Sequence, residues 1–223
     1  MGRTIGLIQV KGGVGRSTIA TNIAGMIAES KTVALIDCDL PQATSTSWYA
    51  LRKAAGKQGN LTIYTAKDHQ ELIKQVKELN TQYEFIVIDA PPRIAEITKA
   101  ALILSDLCII PIGASLADIW ATSDLLNTIE LAKVHKPNVN AQILWNKFRV
   151  TTRSAQELSK AVENELTLKE LNTKLGYRVA YSDAYGEGMT VLEWTDKTAK
   201  DEMKMLGTEL ECILESKFLK ENR

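Results

Sequence analysis

Residues 8–25 read IQVKGGVGRSTIATNIAG. A short apolar run ends at Val10, a glycine loop follows, and small and apolar residues at helical spacing begin at Ser17. Strand, glycine loop and helix in that order make an anion cradle. Gly12, Gly13 and Gly15, with Val14 among them, allow a tight loop whose amide N–H groups converge, and the helix aims its positive end at the same spot. Ser17 adds a hydroxyl, the kind of oxygen ligand Mg²⁺ takes. The stretch departs twice from the common phosphate-loop pattern G-x-x-x-x-G-K-[ST]: Val10 holds the first glycine position and Arg16 the lysine position. A second cation, Lys11, stands at the front of the loop.

Outward from this stretch, short apolar runs alternate with helix-length segments. Strands are expected at Thr4–Val10, Thr32–Asp37, Leu61–Tyr64, Phe85–Asp89, Leu107–Ile112 and Ala141–Asn146, with a weaker one at Arg178–Tyr181. Runs such as FIVID and LCIIPI are almost wholly apolar, as parallel strands covered on both faces are. Helices are expected at Ser17–Glu29, Asp68–Leu79, Ile94–Leu104, Ala117–Val134, Thr151–Glu165 and Asp196–Phe218. Asp68 and Glu71 have capping-box spacing. The last helix carries Met203, Leu206, Leu210, Ile213 and Leu214 on one stripe and Glu202, Glu209, Glu211 and Glu215 on another, which suits docking on a sheet better than lying on a membrane. The alternation predicts an α/β fold, a doubly wound and mostly parallel sheet, in a single domain spanning 1–223.

Composition narrows the function classes. Lys plus Arg and Asp plus Glu are each 27, so any nucleic-acid contact must come from a local patch, not from bulk charge. Cys38, Cys108 and Cys212 stand far apart with no CxxC pair, which argues for reduced thiols and against a metal cluster. No signal-peptide pattern or membrane-length apolar run appears, and a cytoplasmic protein is expected.

Two further stretches carry acids. LIDCDLPQ, residues 35–42, sets Asp37 and Asp39 at the C-terminal end of a strand, the edge where doubly wound sheets bind ligands. Strand alternation would turn both to one side, toward a shared water and metal network. FIVIDAPP, residues 85–92, ends its apolar run in Asp89, as a Walker B strand does.

With KGGVGRST, LIDCDLPQ and VIDAPP in order, followed by SDLCIIPIGASLADIW and YSDAYGEGMTVLEW, the chain resembles the ParA/MinD group of deviant Walker A ATPases. It is most similar to the short ParA-like plasmid-partition ATPases and the McdA-like cargo-positioning ATPases. The resemblance implies an ATP- and Mg²⁺-dependent ATPase working as a homodimer with nucleotide sandwiched between subunits. In that frame Lys11 matches the signature lysine that reaches the partner's phosphates, and Asp39 matches the carboxylate that positions the attacking water. Ser17, Asp37, Asp39 and Asp89 match the metal site, and Thr18 a hydroxyl near the α-phosphate. Asn146 matches an adenine-contacting asparagine, and the segment Tyr181–Met189, with Asp183 and Met189, a loop closing over the base. Arg16 keeps the charge of the usual lysine but is longer, planar and forked, so slowed hydrolysis is expected.

The resemblance also implies non-specific DNA binding, association with the nucleoid, and an adaptor protein (ParB-like or McdB-like) that stimulates hydrolysis. Candidate DNA-contacting residues are Lys147, Arg149, Arg153 and Lys160, with Lys197, Lys200 and Lys204 on the last helix. No membrane partner is expected. The alternatives are a MinD-like, membrane-linked positioning ATPase, and an ATP-binding switch with little turnover.

Overall fold

The structure is a computed structural model that describes residues 2–92, 95–149 and 153–221. Its elements in chain order are β1 (Arg3–Leu7), α1 (Arg16–Ile27), β2 (Val33–Asp37), α2 (Thr44–Ala54), β3 (Leu61–Thr65), α3 (His69–Leu79), β4 (Phe85–Asp89) and α4 (Ala95–Leu104). There follow β5 (Leu107–Ile112), α5 (Leu116–Lys133), β6 (Ala141–Trp145), α6 (Arg153–Leu166), β7 (Lys169–Glu170), α7 (Val179–Gly186), a 3₁₀ turn (Val191–Glu193) and α8 (Lys197–Glu221).

The seven strands form one parallel sheet in the order β3-β2-β4-β1-β5-β6-β7. Strand alternation splits its side chains between two cores. Ala34, Ile36, Ile86, Ile88, Cys108 and Ile110 pack with residues of α3, α4, α5 and α6. Val33, Leu35, Val87, Leu107 and Ile109 pack with residues of α1, α2, α7 and α8. Every residue of β5 is buried, as its unbroken apolar run requires.

Local chemistry sets several boundaries. Asp68 is the N-cap of α3, its Oδ1 accepting from the Glu71 N–H at 2.9 Å, while Glu71 Oε2 accepts from the Lys67 N–H at 3.0 Å. Met203, Leu206, Leu210 and Leu214 are buried, so α8 docks on the sheet by the stripe read from the sequence. Two acids of α8 tie its other side to the preceding loop. Glu209 accepts from the N–H groups of Asn172 and Thr173 at 2.6 and 2.9 Å, and Glu202 pairs with Arg178 at 2.8 Å.

The expected strand at Arg178–Tyr181 is instead the start of α7. Arg178 is extended (φ −130°, ψ 135°) but serves as N-cap, and Ala180, Tyr181 and Ala184 are buried at helical spacing. The seventh strand is the two-residue β7, too short and polar to show a period. Trp48 and Trp145 are core residues, whereas Trp120 is 62% exposed on α5. None of Cys38, Cys108 and Cys212 is in a disulfide.

Candidate nucleotide-binding site

β1 lies between β4 and β5, so the loop leaving its C-terminal end sits at the centre of the sheet's ligand-binding edge. Gly13 (φ 78°) and Gly15 (φ 89°) are left-handed, and Gly15 is the N-cap of α1. A Cβ at Gly15 would also run into Asn146 Nδ2, so glycine is required there twice over. Beside the loop opens a cavity of about 780 Å³. Gly12 through Ile19, Asp39, Asn146, Lys147, Tyr177, Val179 and Tyr181 are among its lining residues.

Register brings the acids together. Asp37 on β2 stands opposite Asp89 on β4, and alternation turns both toward α1 and α2. Asp37 is fully buried, and its two oxygens are taken up by the protein. Oδ1 accepts from the Asp39 N–H at 3.0 Å, and Oδ2 accepts from the Thr46 N–H and hydroxyl at 2.8 and 2.9 Å. Asp37 therefore caps α2 and shapes the Asp39 turn. Asp39 lies past the strand's end and so does not share a strand face with Asp37.

Asp89 is buried, with Oδ2 accepting from the Ser45 hydroxyl at 2.7 Å, while Oδ1 has no hydrogen-bond partner. Burial pushes its carboxyl up to about 6, against the pull of the Ser45 and Ser17 hydroxyls and the Arg16 guanidinium. Burial also raises Asp39, against the same guanidinium. An orphaned carboxylate oxygen beside the Ser17 hydroxyl fits a hard divalent cation, whose partners are oxygens.

Arg16 is buried at 6% exposure and folds back under the loop. Its NH1 donates to the carbonyls of Gln9 (2.6 Å) and Lys11 (3.3 Å). NH2 stands 3.5 Å from Asp39 Oδ2, and Nε 3.9 Å from Asp89 Oδ1. The forked head thus braces the loop's own backbone and faces both acids, an arrangement a lysine's point charge could not make. Burial lowers its pKa, against the support of Asp89 and Asp39.

Lys11 turns aside: its Nζ pairs with Asp118 Oδ1 at 2.9 Å. Asp118 lies in the first turn of α5, where its backbone N–H donates to the hydroxyl of the N-cap Ser115 and its Oδ2 meets that hydroxyl. Sequence reasoning missed Asp118 as a partner of the loop, although Ser115-Leu-Ala-Asp118 is a helix-start pattern. The loop's front is tied to α5 a second time by Gln9, whose Nε2 donates to Thr122 Oγ1 at 3.0 Å.

Asn146 and Lys147 approach from the end of β6. Asn146 Nδ2 donates to the Val14 carbonyl at 2.7 Å and Lys147 Nζ to the Gly13 carbonyl at 2.8 Å. Lys147 is exposed and also lines the cavity beside the loop.

Of the segment expected to close over the base, Tyr181 and Ser182 line the cavity, joined by Tyr177 and Val179, which are largely exposed. Asp183 is exposed and Met189 packs among core residues, its carbonyl accepting from Trp48 Nε1 at 3.1 Å; neither lines the cavity. The other candidate DNA residues are scattered. Lys160 is on α6 and Lys197, Lys200 and Lys204 on α8, helices that pack on opposite faces of the sheet. Arg149 stacks over the Tyr177 ring at 5.1 Å, and the Arg153 side chain lies outside the described residues.

The family model described as ATPase MipZ matches residues 3–162. The chain is 27% identical over 210 residues to the maintenance of carboxysome distribution protein A of Halothiobacillus neapolitanus, covering 93% of this chain and 95% of that one. It is 30% identical over 206 residues to the protein of the same description in Gloeobacter kilaueensis, covering 89% and 88%. Among solved structures, a Cyanothece McdA variant in complex with ATP superimposes with a TM-score of 0.78 at 16% identity, covering 94% of this chain and 96% of that one. The matched span contains the loop, Asp37, Asp39 and Asp89, Asp118 and Asn146, and on that ground the chain belongs to the MipZ/ParA family of ATPases.

Proposed function

We propose that this protein is a Mg²⁺-dependent ATPase that dimerises around ATP, binds DNA without sequence preference, and positions a plasmid or protein cargo through an adaptor. The observation that carries this reading is the cavity at the centre of the sheet edge. It has glycine-loop amides on one side, Asp39 and the Ser17 hydroxyl beside them, and the apolar and aromatic walls of Val179 and Tyr177 at the base end. Relatives described as carboxysome-distribution proteins support the cargo-positioning part.

In this reading the loop amides and the α1 N-terminus hold the phosphates. Ser17 and Asp89 would hold Mg²⁺, which supplies charge neutralisation at the phosphates. Asp39 orients water, and Lys11 leaves Asp118 to cross to the partner's nucleotide. Phosphoryl transfer depends chiefly on positioning, so the resting place of Arg16 favours slow turnover. A switch that binds ATP and hydrolyses it very slowly is the second reading that this geometry supports.

The test is anisotropy binding to random-sequence duplex DNA with no nucleotide, ADP or ATP, at two salt concentrations. ATP-dependent binding that weakens with salt is expected. Binding that ignores nucleotide, or no binding, would overturn the DNA part of the proposal.

A further inference from the structure

Lys147 has a left-handed backbone (φ 54°), which costs a lysine energy unless its surroundings hold it there. From this position its Nζ donates to the Gly13 carbonyl at 2.8 Å, across 134 positions of chain. Next to it, Asn146 Nδ2 donates to the next carbonyl of the loop, that of Val14.

A trans peptide is planar, with its C=O and N–H pointing in opposite directions. Holding the Gly13 carbonyl toward β6 therefore turns the Val14 N–H away from β6. Holding the Val14 carbonyl does the same for the Gly15 N–H. The Gly15 N–H belongs to the N-cap of α1, where the first N–H groups of a helix have no acceptor inside it, and the Val14 N–H stands one residue before it. From the other side, Arg16 NH1 holds the Gln9 and Lys11 carbonyls.

We propose that Lys147 is a positioning residue of the phosphate loop: by holding the Gly13 carbonyl it sets the Val14 N–H as a phosphate donor before nucleotide arrives. The proposal rests on the nucleotide reading of this loop and goes beyond it by giving the exposed Lys147 a role at the nucleotide site. A ligand's phosphates then meet amides already aligned, which removes part of the ordering cost of binding. The same brace links the base end of the cavity, through β6, to its phosphate end.

The test uses the full chain with Lys147→Met, which keeps the stem and loses the ammonium, and Lys147→Arg, which keeps a donor. Lys147→Gly loses the donor while relaxing the left-handed backbone, so weak binding in that variant is not a folding failure. Two readouts are taken: amide hydrogen exchange of residues 11–16 without nucleotide, and affinity for ADP and ATP. Faster exchange and about fivefold weaker binding of both nucleotides are expected in the Met and Gly variants, with Arg within about twofold of wild type. Wild-type exchange and affinity in the Met variant, or equal loss in Arg and Met, would overturn the proposal; so would lost DNA binding with unchanged nucleotide affinity. If the wild-type chain itself bound no nucleotide, the nucleotide reading would fall, and the exchange measurement would still decide whether Lys147 holds the loop.

Discussion

Lys11 and Asp118 form an ion pair 2.9 Å long between the phosphate loop and the first turn of α5. The ammonium matching the residue that crosses a subunit interface is held within its own subunit. Lys11 is 36% exposed at the side chain and Asp118 11%, so solvent screens the pair and it acts as a modest restraint. Removing the restraint favours whichever state uses a free Lys11.

Asp118→Asn is expected to lower the ATP-dependent dimer's dissociation constant by about twofold to fivefold, the range for a partly exposed ion pair. Sedimentation across a concentration series measures it. An unchanged or weaker dimer would show that the pair does not restrain Lys11.

Arg16 leads to a kinetic expectation. Arg16→Lys removes the fork that braces the Gln9 and Lys11 carbonyls and restores a compact ammonium at the phosphate positions. ATP turnover in the presence of DNA should rise about tenfold or more, equivalent to roughly 1.4 kcal/mol of barrier. Turnover no faster than wild type would detach Arg16 from the rate.

Trp48 measures how firmly α2, which follows the Asp39 turn, is held. It is 1% exposed, its Nε1 donates to the Met189 carbonyl at 3.1 Å, and Arg52 lies over its ring. Trp48→Ala should cost about 3–5 kcal/mol of stability by denaturant unfolding, the usual range for a buried aromatic.

Glu193 gives a pH dependence whose sign follows from its contacts. Burial pushes its carboxyl up, but the Arg52 hydrogen bond, the Thr190 N–H and the charges of Arg52 and Lys57 outweigh this and hold it below the ordinary glutamate value. A depressed folded-state pKa gives stability that is present above the unfolded value, about 4.3, and is lost as pH falls through the folded one. Glu193→Gln should therefore lose stability at pH 7 and show a flatter acid limb below about pH 5. Parallel acid limbs for the two proteins would contradict this.

The sequence made much of this legible, for reasons that differ by element. β4 and β5 fall where they were expected because continuous apolar runs have sharp ends. Asp68 and the α8 stripe were readable because caps and helical periods are local. The start of α7 was misread because an extended N-cap, Arg178, followed by Val-Ala-Tyr imitates alternation. α2 was not anticipated: its opening residues, Thr44 to Ser47, are polar, and the cap comes from Asp37 on the preceding strand instead of from a residue at the helix start. Lys11, Arg16, Asp39 and Asn146 gather at the C-terminal edge of the sheet, yet their pairings did not follow from spacing. Lys11 with Asp118, Arg16 with the loop's carbonyls and Lys147 with Gly13 are contacts made by the tertiary fold. Identity at a motif position says which charge is present, and packing decides where that charge rests.

The most direct test of the central claim is the mass of the protein in solution, by light scattering or sedimentation, with Mg²⁺-ATP and with Mg²⁺-ADP, for wild type and Lys11→Ala. The account predicts two chains for wild type with ATP, one chain with ADP, and one chain for Lys11→Ala under both conditions. A Lys11→Ala protein that dimerises with ATP as wild type does, or a wild-type mass that does not respond to nucleotide, would contradict it.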